Sequence, residues 1–146
     1  MDVYQILSQD HQTLQEILVE INKTNISEAG YREQLFRTLR NELEAHEILE
    51  ETVFFSEIDK HPEARELIGT AFDEHADFDA ILQEISELPA DKPEWLERIS
   101  ELKDLVQRHI NIEENKMFPA ARKLLDNRRA EELGRQIEEL KQKESS

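Results

Sequence analysis

The chain has 146 residues, a net charge of −16, 36% charged residues and no cysteine. Its length suits one domain with a single sizeable core. The acidity excludes nucleic acid and anionic membranes as expected partners, because both need a basic protein surface, and the lack of cysteine excludes disulfides, thiolate metal sites and cysteine nucleophiles.

Few glycines and prolines and a surplus of Leu, Ile, Glu, Gln and Lys predict an all-helical chain. The first helix is predicted over residues 3–23. The second follows the break NISEAG, with Ser27 as its N-cap, and is predicted to end near Ile58. Pro62 suits the first turn of the third helix.

The fourth helix is predicted to follow the loop LPADKP, with Asp91 and Glu94 forming a capping box at its start. Pro119 predicts a kink or a break within it. Asp126 is predicted to cap a fifth, amphipathic helix that ends near Lys143. Four long helices with short connections favour an antiparallel up-down four-helix bundle, followed by a short C-terminal helix.

The predicted organisation is a bundle over residues 1–125 with a C-terminal amphipathic helix and tail over residues 126–146. The N-terminal segment MDVYQILSQDHQTL lacks the basic and apolar regions of a secretory signal. No stretch approaches the roughly 18 consecutive apolar residues that a membrane span needs. We therefore expect a soluble protein of the cytoplasm, with neither nucleic acid nor membrane as a partner.

Four of the five histidines fall one to a predicted helix, each on the apolar stripe. These four are His11, His46, His75 and His109. A single histidine in such a place is more often a hydrogen-bonded core residue, but four in one bundle indicate a shared site. His61 stands directly before Pro62, and we expect it in a turn, outside that site.

The segments HEILEETVFF and HINIEENKMF share the pattern H-x-x-x-E-E-x-x-x-F. Each begins at a histidine of the second or fourth helix, so the chain reads as two copies of a helical hairpin. The pair motif alone is a weak signal, because a solvated i,i+4 contact is its ordinary interpretation. Residues i and i+4 lie on the same helix face, about 6 Å apart along the axis. Glu50 and Glu113 are therefore predicted to point inward with their histidines, and Glu51 and Glu114 to face water.

This ligand set predicts two metal ions. Four imidazoles and two carboxylates are too many for one tetrahedral zinc, and calcium or magnesium prefers oxygen ligands alone. Two ions bridged by two carboxylates, with imidazoles at each end, fit the count. Mixed nitrogen and oxygen ligation suits iron first, and manganese or zinc less well. Such a pair has room for an oxo or hydroxo bridge and an open position for a small molecule.

A ferritin-like di-iron site, which uses Glu-x-x-His on two helices, is excluded. None of the five histidines has a glutamate three residues before it.

The complete constellation, followed by Met117-Phe118-Pro119, resembles the hemerythrin-like, or HHE cation-binding, family from residue 4 to about residue 125. The resemblance implies a non-haem di-iron centre inside an antiparallel four-helix bundle that binds dioxygen or related ligands. It also implies that the four histidines are terminal ligands and that Glu50 and Glu113 bridge the irons.

The third and fourth helices differ from those of the oxygen-carrying members, which have one more histidine on the third helix and an aspartate five residues after the last histidine. Here Ala71 and Asp79 lie one turn to either side of His75. A water or a substrate can fill the missing position. Asp79 is a further candidate ligand but is expected to be solvated, and Glu47 is disfavoured because it points about 100° away from His46.

Two classes of function follow from this site. One is a binding module that holds di-iron and binds or senses dioxygen, or handles iron. The other is a redox enzyme that acts on peroxide, nitric oxide or dioxygen. A centre with one imidazole fewer and more oxygen ligands is expected to suit redox chemistry better than reversible carriage of dioxygen.

Overall fold

The computed structural model describes residues 1–145, and the backbone over that range is helical without a strand, as predicted. The last residue of the predicted tail, 146, lies outside the described residues. The long helices are α1 (Val3–Asn22), α2 (Ala29–Leu49), α3 (Arg65–Ser86), α4 (Pro93–Ile112) and α5 (Asn127–Ser145). Among these residues, no helix combines the length and the apolar character needed to cross a bilayer.

Both α2 and α4 continue into a π-helical segment, in which the backbone bonds reach five residues back. The segment Glu50–Phe55 follows α2 and leads into a last turn, Ser56–Ile58, which is where the second helix was predicted to end. The segment Glu113–Met117 follows α4 and leads into Phe118–Leu124. The two halves of the chain therefore share this feature at the same position of the repeated motif.

A kink or a break was predicted at Pro119, and the break is wrong, because the chain stays helical through this residue. It lies in the first turn of Phe118–Leu124, directly after the π segment. Proline lacks an N–H and crowds the carbonyl four residues back. Because the Phe118 N–H already bonds to the Glu113 carbonyl, five residues back, the backbone pattern has shifted before the proline removes a donor.

The helix starts agree only partly with the predicted caps. Asp126 accepts a 2.8 Å hydrogen bond from the Arg129 N–H and caps α5, as predicted. Ser27 is not the cap of α2, because Asn25 caps a short 3-10 turn first and α2 begins only at Ala29. Pro62, predicted in the first turn of the third helix, lies instead in the 3-10 turn Pro62–Ala64, which leads directly into α3 at Arg65.

The capping box predicted at the start of α4 is also wrong. The helix begins at Pro93, and its N-cap, Lys92, makes no side-chain capping bond. Proline at the first helical position has a backbone angle already suited to the helix, and its missing N–H costs nothing there. Pro93 therefore sets the start that Asp91 and Glu94 were expected to set.

The core consists of two apolar clusters. The α5-side cluster includes Leu7, Phe54, Ile68 and Phe118 together with Ile137 of α5. The distal cluster includes Leu14, Leu43, Phe78, Trp95 and Leu102. Along each of the first four helices the chain passes from one cluster to the other near its histidine. The histidines therefore form a polar layer between two apolar ones.

Helix α5 is longer than predicted, at 19 residues, and it belongs to the core. Leu133 and Ile137 are fully buried in the α5-side cluster with Val3 of α1. Gly134 lies against the backbone of Met1 and Asp2, and a Cβ there would sit only 3.0 Å from the Asp2 carbonyl carbon. The missing side chain thus allows α5 to pack closely on the start of α1.

We expect Gly134→Ala to lower the melting temperature, because overpacking against backbone typically costs about 1–3 kcal/mol. Gly69→Ala is the matched control, since Gly69 is also helical but has open space around its Cβ position. That control should be stabilised by roughly 0.5–1 kcal/mol, because alanine loses less backbone entropy than glycine. Equal shifts in thermal unfolding for the two variants would contradict the close packing of α5.

Candidate metal centre

The six predicted ligands lie together in the polar layer, and each is buried with at most 4% of its surface exposed. They form two groups in which one ligand atom from each residue lies within 4.8 Å of the others. Site A contains His11, His46, Glu50 and Glu113, and site B contains Glu50, His75 and His109. Glu50 is shared. Within the described part of the chain, no other group of three or more such side chains meets this limit.

The Nε2 atom of every imidazole faces a carboxylate oxygen of Glu50 or Glu113. The distances are 2.9 Å from His11 to Glu113, 3.1 Å from His46 to Glu50, 3.3 Å from His75 to Glu50, and 3.2 Å from His109 to Glu113. All four Nε2 atoms and all four oxygens nevertheless lack a hydrogen bond of acceptable geometry. Buried polar atoms without partners are rare and costly. Their convergence is the arrangement expected of ligands around a cation, and the mixed nitrogen and oxygen donors fit a transition metal.

The other ring nitrogen, Nδ1, is hydrogen-bonded to a carboxylate in all four histidines. The pairs are His11 with Glu114 at 2.6 Å, His46 with Asp10 at 2.9 Å, His75 with Glu51 at 2.9 Å and His109 with Glu74 at 2.8 Å. Every carboxylate belongs to a different helix from its histidine. A carboxylate on Nδ1–H fixes the tautomer in which Nε2 carries the free lone pair, and this is how histidine ligands are commonly oriented toward metals.

The prediction that Glu51 and Glu114 face water is wrong. Their side chains are about one-third exposed, at 34% and 36%, yet each is bonded to an imidazole of another helix. Successive helical residues point about 100° apart. A residue that follows an inward ligand is thus directed at the neighbouring helix rather than directly away from the core.

The other two carboxylates, Asp10 and Glu74, were not among the predicted site residues. A signal for them exists in the sequence, because each directly precedes a histidine, His11 or His75, on the first helix of a hairpin. The repeat of an acidic residue at the same place in both halves was therefore visible. Which histidine each one holds depends on how the helices pack.

The charges within the layer are strongly coupled in the metal-free protein. Burial by itself would lower the pKa of His46, but Glu50, Asp10 and Glu113 outweigh burial and raise it to about 10. Burial likewise opposes the charge of His109, yet Glu113, Glu50 and Glu74 raise its pKa to about 12.

Glu50 responds in the opposite direction. Burial would raise its pKa, but His46, with Glu113 and His109, holds it well below the usual range. Without metal, protons on His46 and His109 therefore offset the negative charge of Glu50.

The sequence profile of the hemerythrin HHE cation binding domain family matches residues 2–121. This chain belongs to that family. Family membership and the two ligand groups together indicate a metal-binding site. Helix α5 lies beyond the residues that the profile matches.

Two known proteins resemble this HHE domain over nearly its whole length. A curated relative named DNA nickase, from Nostoc sp. strain PCC 7120, is 24% identical over 148 aligned residues, which cover 98% of this chain and 40% of the relative. The chain thus spans about two fifths of that relative's length. A crystal structure of an HHE cation binding domain-containing protein from Mycobacterium kansasii has the same fold, with a TM-score of 0.87 and 22% identity, covering 98% of this chain and 86% of that chain.

Three further residues considered from the sequence lie outside both sites of the HHE domain. Asp79 is exposed, as expected, and His61 lies in the turn before Pro62. Glu47 is buried, with 6% of its surface exposed, and its Oε1 has no hydrogen-bond partner. Burial, reinforced by the negative charges of Asp79 and Glu51, raises the pKa of Glu47 to about 8.

Replacing Glu74 by glutamine is expected to weaken metal binding at site B by about 10- to 100-fold, which is the usual cost of losing a partner of a metal-bound histidine. Glu74 has the least exposed side chain of the four Nδ1 carboxylates, at 11%, and its partner His109 belongs to site B. The effect is measured by titrating the metal-free protein with Co²⁺. Asp73→Asn removes an exposed carboxylate next to Glu74 and should bind as the unmodified protein does. Equal behaviour of the two variants would contradict a role for the Glu74–His109 bond.

Proposed function

We propose that this HHE domain holds two iron ions, bridged by Glu50, Glu113 and an oxo or hydroxo group, and binds or senses dioxygen or a related small ligand. The observation that carries the proposal is the convergence of eight buried nitrogen and oxygen atoms without hydrogen-bond partners. Iron at such a centre supplies reversible one-electron chemistry and an open position for the ligand.

The bridging roles are supported by where the carboxylate oxygens lie. Glu50 Oε1 is 3.1 Å from His46 Nε2 of site A and 3.3 Å from His75 Nε2 of site B. Glu113 directs Oε1 to His11 of site A at 2.9 Å and Oε2 to His109 of site B at 3.2 Å. Each carboxylate thus faces histidines of both sites, with His11, His46, His75 and His109 as terminal ligands.

An antiparallel up-down arrangement of the first four helices is part of the proposal. Along α1 and α3 the chain passes from the α5-side cluster to the distal cluster, and along α2 and α4 it passes back. Neighbouring helices in sequence therefore run in opposite directions through the polar layer.

The chain's own residues orient the ligands and keep water away. The Nδ1 carboxylates hold each imidazole with Nε2 inward, and aromatic rings of the α5-side cluster cover the layer on that side. Phe118 stacks on His11 at 6.2 Å between ring centroids, and Phe55 stacks on His75 at 5.8 Å. A ligand small enough to enter thus meets an apolar wall around the metal position.

A redox enzyme that acts on peroxide, nitric oxide or dioxygen is the second candidate. It is favoured by the unequal grouping of the ligands: Glu113 faces His109 but is not part of the site B group, so site A groups four side chains closely and site B three. A metal ion with fewer protein ligands keeps an open position, as catalytic metal sites do. Site B is therefore where we place the reacting molecule.

Metal analysis tests the proposal directly. Protein purified after expression in iron-rich medium should contain about two irons per chain and absorb in the near-ultraviolet. His61→Ala, which removes a histidine outside both sites, should contain as much iron. Folded, soluble protein without bound metal would overturn the di-iron proposal.

Reaction with dioxygen separates the two candidate functions. The reduced, iron-loaded protein is exposed to dioxygen, and its absorption spectrum is followed while the gas is removed again. A spectral change that reverses supports binding or sensing. Irreversible oxidation, with rapid consumption of added peroxide, supports the enzyme.

We also propose a cytoplasmic location without nucleic acid or membrane as a partner. The net charge of −16 opposes association with either polyanion. For the same reason we do not extend to this chain the activity for which the Nostoc relative is named.

A further inference from the structure

Helix α5 reaches the metal centre through a chain of two polar contacts. Lys141 Nζ lies 2.5 Å from Asp10 Oδ1, and Asp10 Oδ2 lies 2.9 Å from His46 Nδ1. The two oxygens of one carboxylate are thus divided between α5 and a residue of site A. Residue 141 lies 20 positions beyond the end of the family match at residue 121.

The outer side of His46 borders a cleft between α1, α2 and α5. This cleft has a volume of about 500 Å³, and its lining includes Gln9, Asp10, Glu42, His46 and Lys141. The carboxylate that orients the imidazole, that of Asp10, therefore lies beside an open cleft. The side chain of Asp10 is only 14% exposed in its paired position, where Lys141 covers it.

Asp10 differs from the other three carboxylates that hold the histidines. Within residues 1–145 no ion pair to lysine or arginine forms at Glu51, Glu74 or Glu114, whereas Asp10 has Lys141. The contact from α5 therefore affects one histidine, and that histidine belongs to site A alone.

The position of Lys141 does not depend on the ion pair itself. Leu133 and Ile137 are buried in the α5-side cluster, and Gly134 packs against the backbone at the start of α1. Ile137 lies one helical turn before Lys141, so the packed face places the lysine beside Asp10. A surface ion pair alone contributes little, but here the packing of the helix holds one partner in place.

We propose that Lys141 is a positioning residue for site A, which fixes the Asp10 carboxylate on His46 so that the docking of α5 sets the metal affinity of site A and leaves site B unaffected. This inference rests on the proposed function, in that both sites bind metal. Helix α5, which lies outside the family match, would then contribute to metal binding at site A.

The experiment is a titration of the metal-free protein with Co²⁺, followed by visible absorption, which resolves the two binding equivalents. Lys141→Met should weaken one equivalent by about tenfold, the low end of the cost of losing an outer partner of a metal ligand. The other equivalent should be unchanged. Lys141→Arg, which keeps the charge and a donor, should preserve binding, and Lys123→Met, which removes an exposed lysine outside α5, should have no effect.

Two further measurements distinguish positioning from a loss of structure. Once Asp10→Asn is present, Lys141→Met should weaken binding no further, because both changes break the same chain of contacts. In the zinc-loaded protein, the Nδ1–H proton of His46 should exchange faster with water after Lys141→Met, while that of His109 should not change.

The outcomes are distinguishable. Unmodified protein that binds no Co²⁺ would overturn the proposed function. Two normal equivalents in the unmodified protein, with Lys141→Met weakening both equally, weakening neither or tightening one, would overturn the role of Lys141 alone.

Discussion

Replacing Glu50 by alanine is expected to remove the metal ion of site B and to weaken binding at site A, whereas replacing Glu113 by alanine should weaken binding at site A and leave the ion of site B in place. Glu50 is the carboxylate that both ligand groups share, and it is fully buried. Its loss leaves site A with two imidazoles and Glu113. Site B keeps two imidazoles and only the Oε2 of Glu113, which faces His109 at 3.2 Å but is not part of the site B group. Without Glu113, site B still has Glu50, His75 and His109.

The ratio of metal to protein, measured by elemental analysis after gel filtration, checks this prediction. Glu50→Gln keeps the size of the side chain and one oxygen, so it separates loss of a bridging ligand from a packing defect; it should still lose the metal ion of at least one site. Glu63→Ala, at an exposed position, is the control and should retain the full metal content. Retention of two ions by Glu50→Ala would refute the shared carboxylate.

The metal-free protein is expected to lose stability as the pH rises from about 6.5 to 10, by an amount on the order of several kcal/mol, since each tenfold change in proton affinity is worth about 1.4 kcal/mol. The pKa values of His46 and His109 are raised in the folded state, to about 10 and about 12, above the ordinary value of 6.5. A group whose pKa is raised by folding makes its full contribution to stability below pH 6.5. That contribution is lost as the pH rises through the pKa of the folded state.

The contribution of Glu50 to stability depends on pH in the opposite direction. Its folded-state pKa lies well below the ordinary 4.5, so its contribution is present above pH 4.5 and is lost as the pH falls further. The stability of the metal-free protein should therefore be greatest between about pH 4.5 and 6.5, as far as these groups determine it.

Metal binding should reverse the loss of stability that is expected above pH 6.5. A metal ion needs neutral imidazoles and displaces their protons, so its affinity increases with pH. Denaturant unfolding at pH 6.5 and 9.5, with metal and after chelation, measures both trends. The stabilisation due to metal should be larger at pH 9.5, and His61→Ala should show the same difference as the unmodified protein. A metal-free protein that is equally stable at both pH values would contradict the coupled charges of the layer.

The six inward residues were predictable because helical periodicity is a local property. A residue four positions after a histidine lies on the same face whatever the neighbouring helices do, so Glu50 and Glu113 could be placed with His46 and His109. Local capping and turn signals likewise placed the ends of the first and second helices near Asn22 and Ile58 and the start of α5 after Asp126. They failed at Ser27 and Asp91, where an asparagine and a proline nearby set the helix starts instead.

The π-helical segments could not be predicted in this way. Each begins at a predicted bridging glutamate, Glu50 or Glu113, and the residues within them are not unusual for an α-helix. The wider turn changes which residues face the layer, and π segments are frequent at functional sites. Both segments begin at a buried carboxylate, so they coincide with the candidate site and not with an unusual local sequence.

The sequence alone determined the helices, the family, and the two histidine–glutamate pairs that point into the core, because each depends on spacing within one helix. Only the tertiary structure decided which carboxylate holds which imidazole, since Asp10 with His46 and Glu114 with His11 are separated by 36 and 103 residues. It also decided that Lys141 lies beside Asp10. Those contacts depend on the relative placement of helices, which results from burying the apolar faces of all five together.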